Sequence, residues 1–245
     1  MRRTIGLLLA ITAILGLGLL CPTSAGAGTQ TFDGFTLQYL DADSGQVSAA
    51  ATAVTAAMRE IEGTLGIRLT YQIQVVLHRP ADFQAIAPAI VTAQRSQAYY
   101  DPPRRTVHLV YGWTSARSTA EQLTDGVLRH ELTHAYVHSN AAGVSIPRWF
   151  NEGLAMYVEM SRDERARQRQ RVQQDAQRNI LGTLDRSPYD IGVVAVMYLL
   201  DRFGTGTIES ILMGMQRGTP FAGAFQTVTG VTPAAFEQAF RTAMR

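Results

Sequence analysis

The chain has 245 residues, 46% of them hydrophobic and 17% charged, which is enough apolar sequence for one large domain or two small ones and too much for a disordered chain. Its 22 basic residues, all arginine, face 20 acidic ones, and a formal charge of +2 gives no reason to propose nucleic acid as a partner. Glycine and proline, 21 and 9 in number, are too scattered for a collagen-like or low-complexity protein.

Residues 1–27 read as a secretory signal: Arg2 and Arg3 lead, Ile5 to Leu20 are mostly apolar, and Ala25-Gly26-Ala27 offers a small-x-small cleavage site. The apolar run is short for a membrane span and has no positive flank after it, so the expectation is an exported protein, periplasmic or extracellular, with no stable span once the leader is cut; the alternative is an uncleaved N-terminal anchor. Cleavage after Ala27 takes two of the 22 basic residues, leaving 20 against 20 acidic ones, and also takes Cys21, the only cysteine. The mature chain, 28–245, is then expected to be a single domain without a disulfide, and a metal site in it has to use histidine and carboxylate.

Phe32 to Leu40 alternates like a strand with a glycine turn inside it. Asp43 or Ser44 can cap a helix through AAATAVTAAMREIEGTL. Arg68 to Leu77 is the clearest strand, β-branched and aromatic with period two. Pro80 starts a short helix, and Gln97 to Tyr100 and Thr106 to Tyr111 form two strands around Asp101-Pro102-Pro103. From there the pattern is helical. A long helix runs from Ser118 to His138, with Ser118 and Glu121 as a capping box. A second opens at Pro147 and runs through Met160, followed by a charged segment, an apolar helix from Tyr189 to Phe203, another from Thr207 to Met215, and a last pair around Pro220 and Pro233. The class is α+β: an N-terminal mixed sheet with helices, then a mostly helical C-terminal half, whose core lies at about residues 118–203.

His130-Glu131-Leu132-Thr133-His134 is an H-E-x-x-H sequence. Residues four apart on a helix differ by about 40° in azimuth and one turn in height, so both imidazoles can converge on one zinc ion, with Glu131 beside them to take a proton from water. Zinc needs a third protein ligand and an open position. Glu152, in the early turns of the helix after Pro147, can supply it where that helix crosses the first, completing a His-His-Glu set.

The stretches HELTHAYVH and PRWFNEGLAMYVE resemble the gluzincins, in particular peptidase MA-like domains and the zinc aminopeptidases. That resemblance implies a zincin, thermolysin-like catalytic domain that hydrolyses peptide bonds in peptide or protein substrates, with Zn2+ on His130, His134 and Glu152 and with Glu131 as general base. Seventeen residues separate His134 from Glu152, one fewer than in the aminopeptidases, a difference that falls in the Ser139 to Ile146 loop. Tyr189-Asp190-Ile191-Gly192 is similar to a Y-x-x-G helix start in the same enzymes and implies that the Tyr189 hydroxyl donates to the oxyanion. The aminopeptidase Gly-x-Met-Glu-Asn loop is absent, so the resemblance does not carry over exopeptidase specificity.

Other residues read more plainly. His138 extends the i+4 series by a further turn and is expected at the surface or behind the ligands. Glu159, two turns past Glu152 on the same face, could support a histidine but reads first as structural, and nothing ties His78 or His108 to zinc. Tyr157 and Tyr198 are rivals to Tyr189. The run from Arg162 to Arg178 reads as a solvated mixed-charge helix. The alternative function is a metal-stabilised, non-catalytic binding or assembly module of the cell envelope, against which an intact Glu131 argues.

Overall fold

The computed structural model describes residues 27–87, 97–110, 126–178, 181–184 and 186–245. The N-terminal half is a mixed five-stranded sheet, β1 (Ala27–Thr31), β2 (Phe35–Leu40), β3 (Ile73–His78), β4 (Ala98–Asp101) and β5 (Thr106–Val110), in the order β1-β2-β3-β5-β4. β2, β3 and β5 run parallel, while β1 and β4 are antiparallel edge strands. The first expected strand is in fact a hairpin: Gly34, at φ 81, turns the chain between β1 and β2.

Side chains alternate across the sheet as the pleat requires. Phe35, Leu37, Ile73, Val75, Leu77, Ala98, Tyr100, Val107 and Leu109 form its buried face. Against this face pack α1 (Val47–Leu65), through Val54, Ile61 and Leu65, and α3 (Val127–Ala141), through Leu128, Leu132 and Tyr136. α2 (Pro80–Ile86) begins at its expected proline and buries Phe83.

Three expectations shift for identifiable reasons. Neither Asp43 nor Ser44 caps α1. A 3-10 turn, Asp41–Gln46, leads into that helix, and Asp43 instead pairs with Arg79 at 2.9 Å. The third strand starts at Ile73 rather than Arg68, because the preceding residues are tied to the end of α3: the Thr70 hydroxyl donates to Ser139 O at 2.7 Å and the Asn140 side chain to Arg68 O at 2.7 Å. α3 itself continues past His138 to Ala141 and ends in the left-handed residues Ala142 and Gly143, so the link to the next helix is shorter than expected. Residues 1–26 of the leader, the proposed Ser118–Glu121 capping box and Tyr111 lie outside the described residues.

The C-terminal half is helical: α4 (Arg148–Glu159), α5 (Arg162–Gln177), α6 (Asp190–Phe203), α7 (Thr207–Gln216), α8 (Phe221–Thr229) and α9 (Pro233–Met244). Trp149, Phe150, Phe221, Phe225 and Phe236 form one aromatic cluster with ring centroids 5.0–6.5 Å apart. α3 is shared, with one side on the sheet and the other on α4 and α7. α4 and α6 cross at glycines: a Cβ on Gly153 would lie 2.6 Å from Gly192 O, and one on Gly192 would lie 2.8 Å from Trp149 O. Only two glycines allow this approach, which seats the start of α6 on the Trp149–Gly153 face of α4, next to Glu152 in the chain. Among the described residues no single helix is long and apolar enough to cross a membrane.

Candidate functional site

α3 presents His130 and His134 from one face, their rings 4.8 Å apart and 82° to one another. α4 crosses that face and brings in Glu152. Its Oε2 lies 3.5 Å from Nε2 of His130 and 3.5 Å from Nε2 of His134. All three side chains are nearly buried, 12, 12 and 13% exposed. Glu152 Oε2 has no hydrogen-bond partner among the described residues. A buried carboxylate oxygen facing two imidazole nitrogens needs a shared cation or shared protons. Four-coordinate zinc holds its ligand atoms about 3.4 Å apart at bonds of about 2.0–2.2 Å. The three residues therefore form a group able to hold a metal ion.

The surroundings hold the ligands in place. His130 Nδ1 is 2.8 Å from Glu159 Oε2, so Nδ1–H donates to the carboxylate and Nε2 keeps its lone pair for the centre. Glu159 thus supports a histidine, the second of its two sequence readings, and the preferred structural reading gives way to it. The Glu159 carbonyl in turn accepts from Arg129 Nη2 at 3.0 Å, and Gly126 packs against Glu159 so closely that a Cβ there would lie 2.5 Å from its Cγ. The ends of α3 and α4 are clamped together at this point.

Glu131 points to the sheet, where the backbone N–H of Tyr100 on edge strand β4 donates to its Oε2 at 2.8 Å. Burial raises its pKa, partly offset by His134, His130 and that N–H, which moves the carboxylate toward the range of a base working near neutrality. Burial also opposes the charge on Glu152, but the two facing imidazoles prevail and hold it near 2. For His130 burial opposes the imidazolium, yet Glu152 and Glu159 lift the pKa to about 10. The carboxylates around His130 thus favour positive charge at the centre, which a metal ion on Nε2 would supply in place of the second proton.

Tyr189 stands at the N-terminal end of α6, as expected, its ring 6.5 Å from that of His130 and within 22° of parallel. Its hydroxyl is 3.5 Å from Arg148 Nη2. The rival tyrosines are engaged elsewhere. Arg165 lies over Tyr157 at 4.3 Å, and Tyr198 accepts from Arg202 at 2.8 Å while packing on Phe236 and Phe240. His138 lies behind the site against Tyr100, ring centroids 5.7 Å apart. His78 and His108 pair with each other on the far side of the sheet, Nε2 to Nδ1 at 2.8 Å, away from the centre. The run from Arg162 is α5, capped by Ser161 and Glu164 and tied to α6 through Arg169 and Asp201 at 2.6 Å.

Two contributors were missed in the sequence. Arg148 sits one turn before Glu152, its Nε 3.9 Å from Oε1; the i,i+4 spacing was visible. The Tyr100 N–H carries no sequence signal, being a main-chain group.

The family described as "Peptidase of plants and bacteria" has a model that matches residues 24–240. No curated protein matches the chain.

Proposed function

Because the chain belongs to this family of plant and bacterial peptidases, we propose that it is a zinc-dependent metallopeptidase of the gluzincin type, with a thermolysin-like arrangement of its catalytic helices, exported by the signal at residues 1–27. The observation that supports the reading is the pairwise 3.5 Å approach of Glu152 Oε2 to the two imidazole nitrogens, with Glu131 buried beside them.

His130, His134 and Glu152 would hold the ion, two borderline donors and one hard donor suited to zinc. When bound, zinc acidifies a water molecule and polarises the carbonyl it attacks. Glu131 takes the water's proton and delivers it to the departing amine, a task for which its raised pKa suits it. Tyr189 donates its O–H to the oxygen that becomes anionic, an interaction stronger in the transition state than in the ground state. Glu159 keeps His130 in the tautomer that leaves Nε2 free.

The test pairs metal analysis with hydrolysis of unstructured polypeptides. The purified protein should hold one zinc per chain and cleave them. Glu152→Ala should lose the metal, and Glu131→Gln should keep metal and fold while losing nearly all turnover, because an amide cannot take the proton. A Glu131→Gln protein as active as the wild type would overturn the mechanism. A metal-loaded wild type that cleaves nothing would leave the non-catalytic module as the better reading.

A further inference from the structure

Beside the metal centre lies a cavity of about 370 Å³, at the lower end of the range for small-ligand pockets (~300–1,000 Å³). It opens where the turn after α3 meets the start of α4. Val144, Ile146 and Ala141 supply apolar wall, and Arg148 and Asn151 border the side toward Glu152. Among the described residues no aspartate or glutamate lines it. Two lining residues tie it to the reaction centre: Asn151 precedes Glu152 in the chain, and the Arg148 Nε is 3.9 Å from Glu152 Oε1.

Arg148 is the fixed charge of this cavity. Its side chain is 60% exposed, and its described contacts are long: Nη2 to the Tyr189 hydroxyl at 3.5 Å, Nε to Glu152 at 3.9 Å, and the guanidinium 5.5 Å from the centre of the Tyr189 ring. Tyr189 is a neutral partner, and Glu152 has its other oxygen turned to the histidines. A planar guanidinium held at an apolar cavity mouth with this much donor capacity matches a carboxylate, which it grips in bidentate fashion.

We propose that Arg148 and this cavity form a specificity subsite that receives a substrate carboxylate, from an acidic side chain or from the C-terminus of the peptide, within one or two residues of the bond that is cut. This rests on the peptidase reading above and adds which peptides are preferred. It makes Arg148 a selector of substrate, placed so that an anchored carboxylate draws the neighbouring peptide bond past Tyr189 and Glu152.

The test uses paired peptides: one pair differs by glutamate against glutamine near the cleaved bond, the other by a free C-terminus against a carboxamide. Each is measured with wild type, Arg148→Lys and Arg148→Gln. The wild type should favour the carboxylate member of one pair by about tenfold to a hundredfold in kcat/KM, the value of a charge-assisted contact. Arg148→Lys should keep part of that preference and Arg148→Gln should erase it. The responding pair identifies the source of the carboxylate. Because a ratio is read, losses acting through Tyr189 or Glu152 cancel. A preference that survives Arg148→Gln, or no preference in the wild type for either pair, overturns the proposal. The same peptides are titrated against zinc-loaded Glu131→Gln with and without Arg148→Gln. If the wild type cleaves nothing, the peptidase reading falls while the binding ratio still decides the subsite: dependence on Arg148 upholds it and independence refutes it.

Discussion

Glu159 Oε2 accepts the Nδ1–H of His130 at 2.8 Å, so a residue from the last turn of α4 fixes the ring of a candidate metal ligand on α3. The same helix thus supplies both Glu152 and the carboxylate behind His130. Partners of this kind set ligand orientation and basicity, and their loss usually costs about 10- to 100-fold in metal affinity. Glu159→Ala should weaken zinc binding by that order in a chelator competition. Glu159→Gln should cost less, since the amide oxygen still accepts. Unchanged affinity in Glu159→Ala would return the residue to a structural role.

Tyr189→Phe removes one hydroxyl from a ring that is already packed near His130. Zinc content and thermal stability should hardly move, while turnover falls about 10² to 10³-fold, the usual cost of one oxyanion donor. Steady-state kinetics on a neutral peptide, free of any demand on Arg148, measures it. Full activity in the variant would leave the metal alone with the developing charge.

The glycine crossing of α4 and α6 admits no added carbon. In Gly153→Ala the new methyl would sit 2.6 Å from Gly192 O, and overpacking of this kind costs about 1–3 kcal/mol. Its melting temperature should fall, and Glu152, the residue before it, should bind zinc more weakly. Gly63→Ala is the control with the opposite sign: nothing lies within 4 Å of that position on α1, and a helical Gly→Ala change there should stabilise by about 0.5–1 kcal/mol.

His78 and His108 titrate far below the ordinary imidazole value of 6.5, each near 4. For His78 the causes are burial and then the charge of His108. For His108 burial leads, and Asp101 and Arg104 act in opposite senses. The native state therefore stays unprotonated in a range where the unfolded chain takes up protons. The contribution of this pair to stability should be constant above pH 6.5 and fall as the pH drops from 6.5 toward 4. Denaturant unfolding across that range should show the decline, and His108→Gln should flatten it. A wild-type profile level down to pH 4 would rule out the pair as its source.

What could be seen in the sequence was what one helix decides by itself. His130, Glu131 and His134 sit on one helix, so their common face follows from 3.6 residues per turn. Glu152 and Tyr189 were found by the company they keep in their motifs. Glu159 lay on the right face, two turns from Glu152, but whether that face meets His130 depends on how α3 and α4 approach, which rests on the close contact of Gly126 with Glu159. Asp43 looked like a helix cap because its competitor, Arg79, is 36 residues away. The third strand was read five residues too long at its start because Thr70 and Arg68 have period-two neighbours but bond to the end of α3.

The bond from Tyr100 N–H to Glu131 has a consequence for how the enzyme tolerates change. The group that steadies the buried carboxylate belongs to the main chain, so replacing the Tyr100 side chain leaves it in place, and among single substitutions only proline removes the donor itself. What protects it is the pairing of β4 with β5, where Tyr100 lies opposite Val107 and turns its N–H outward to α3. A slip of one residue along that edge would aim the N–H inward and leave the carboxylate unattended. Strand register thus adds its share to the proton affinity of Glu131, after burial and the two histidines, and drift in amino-acid type at position 100 can proceed without touching that share.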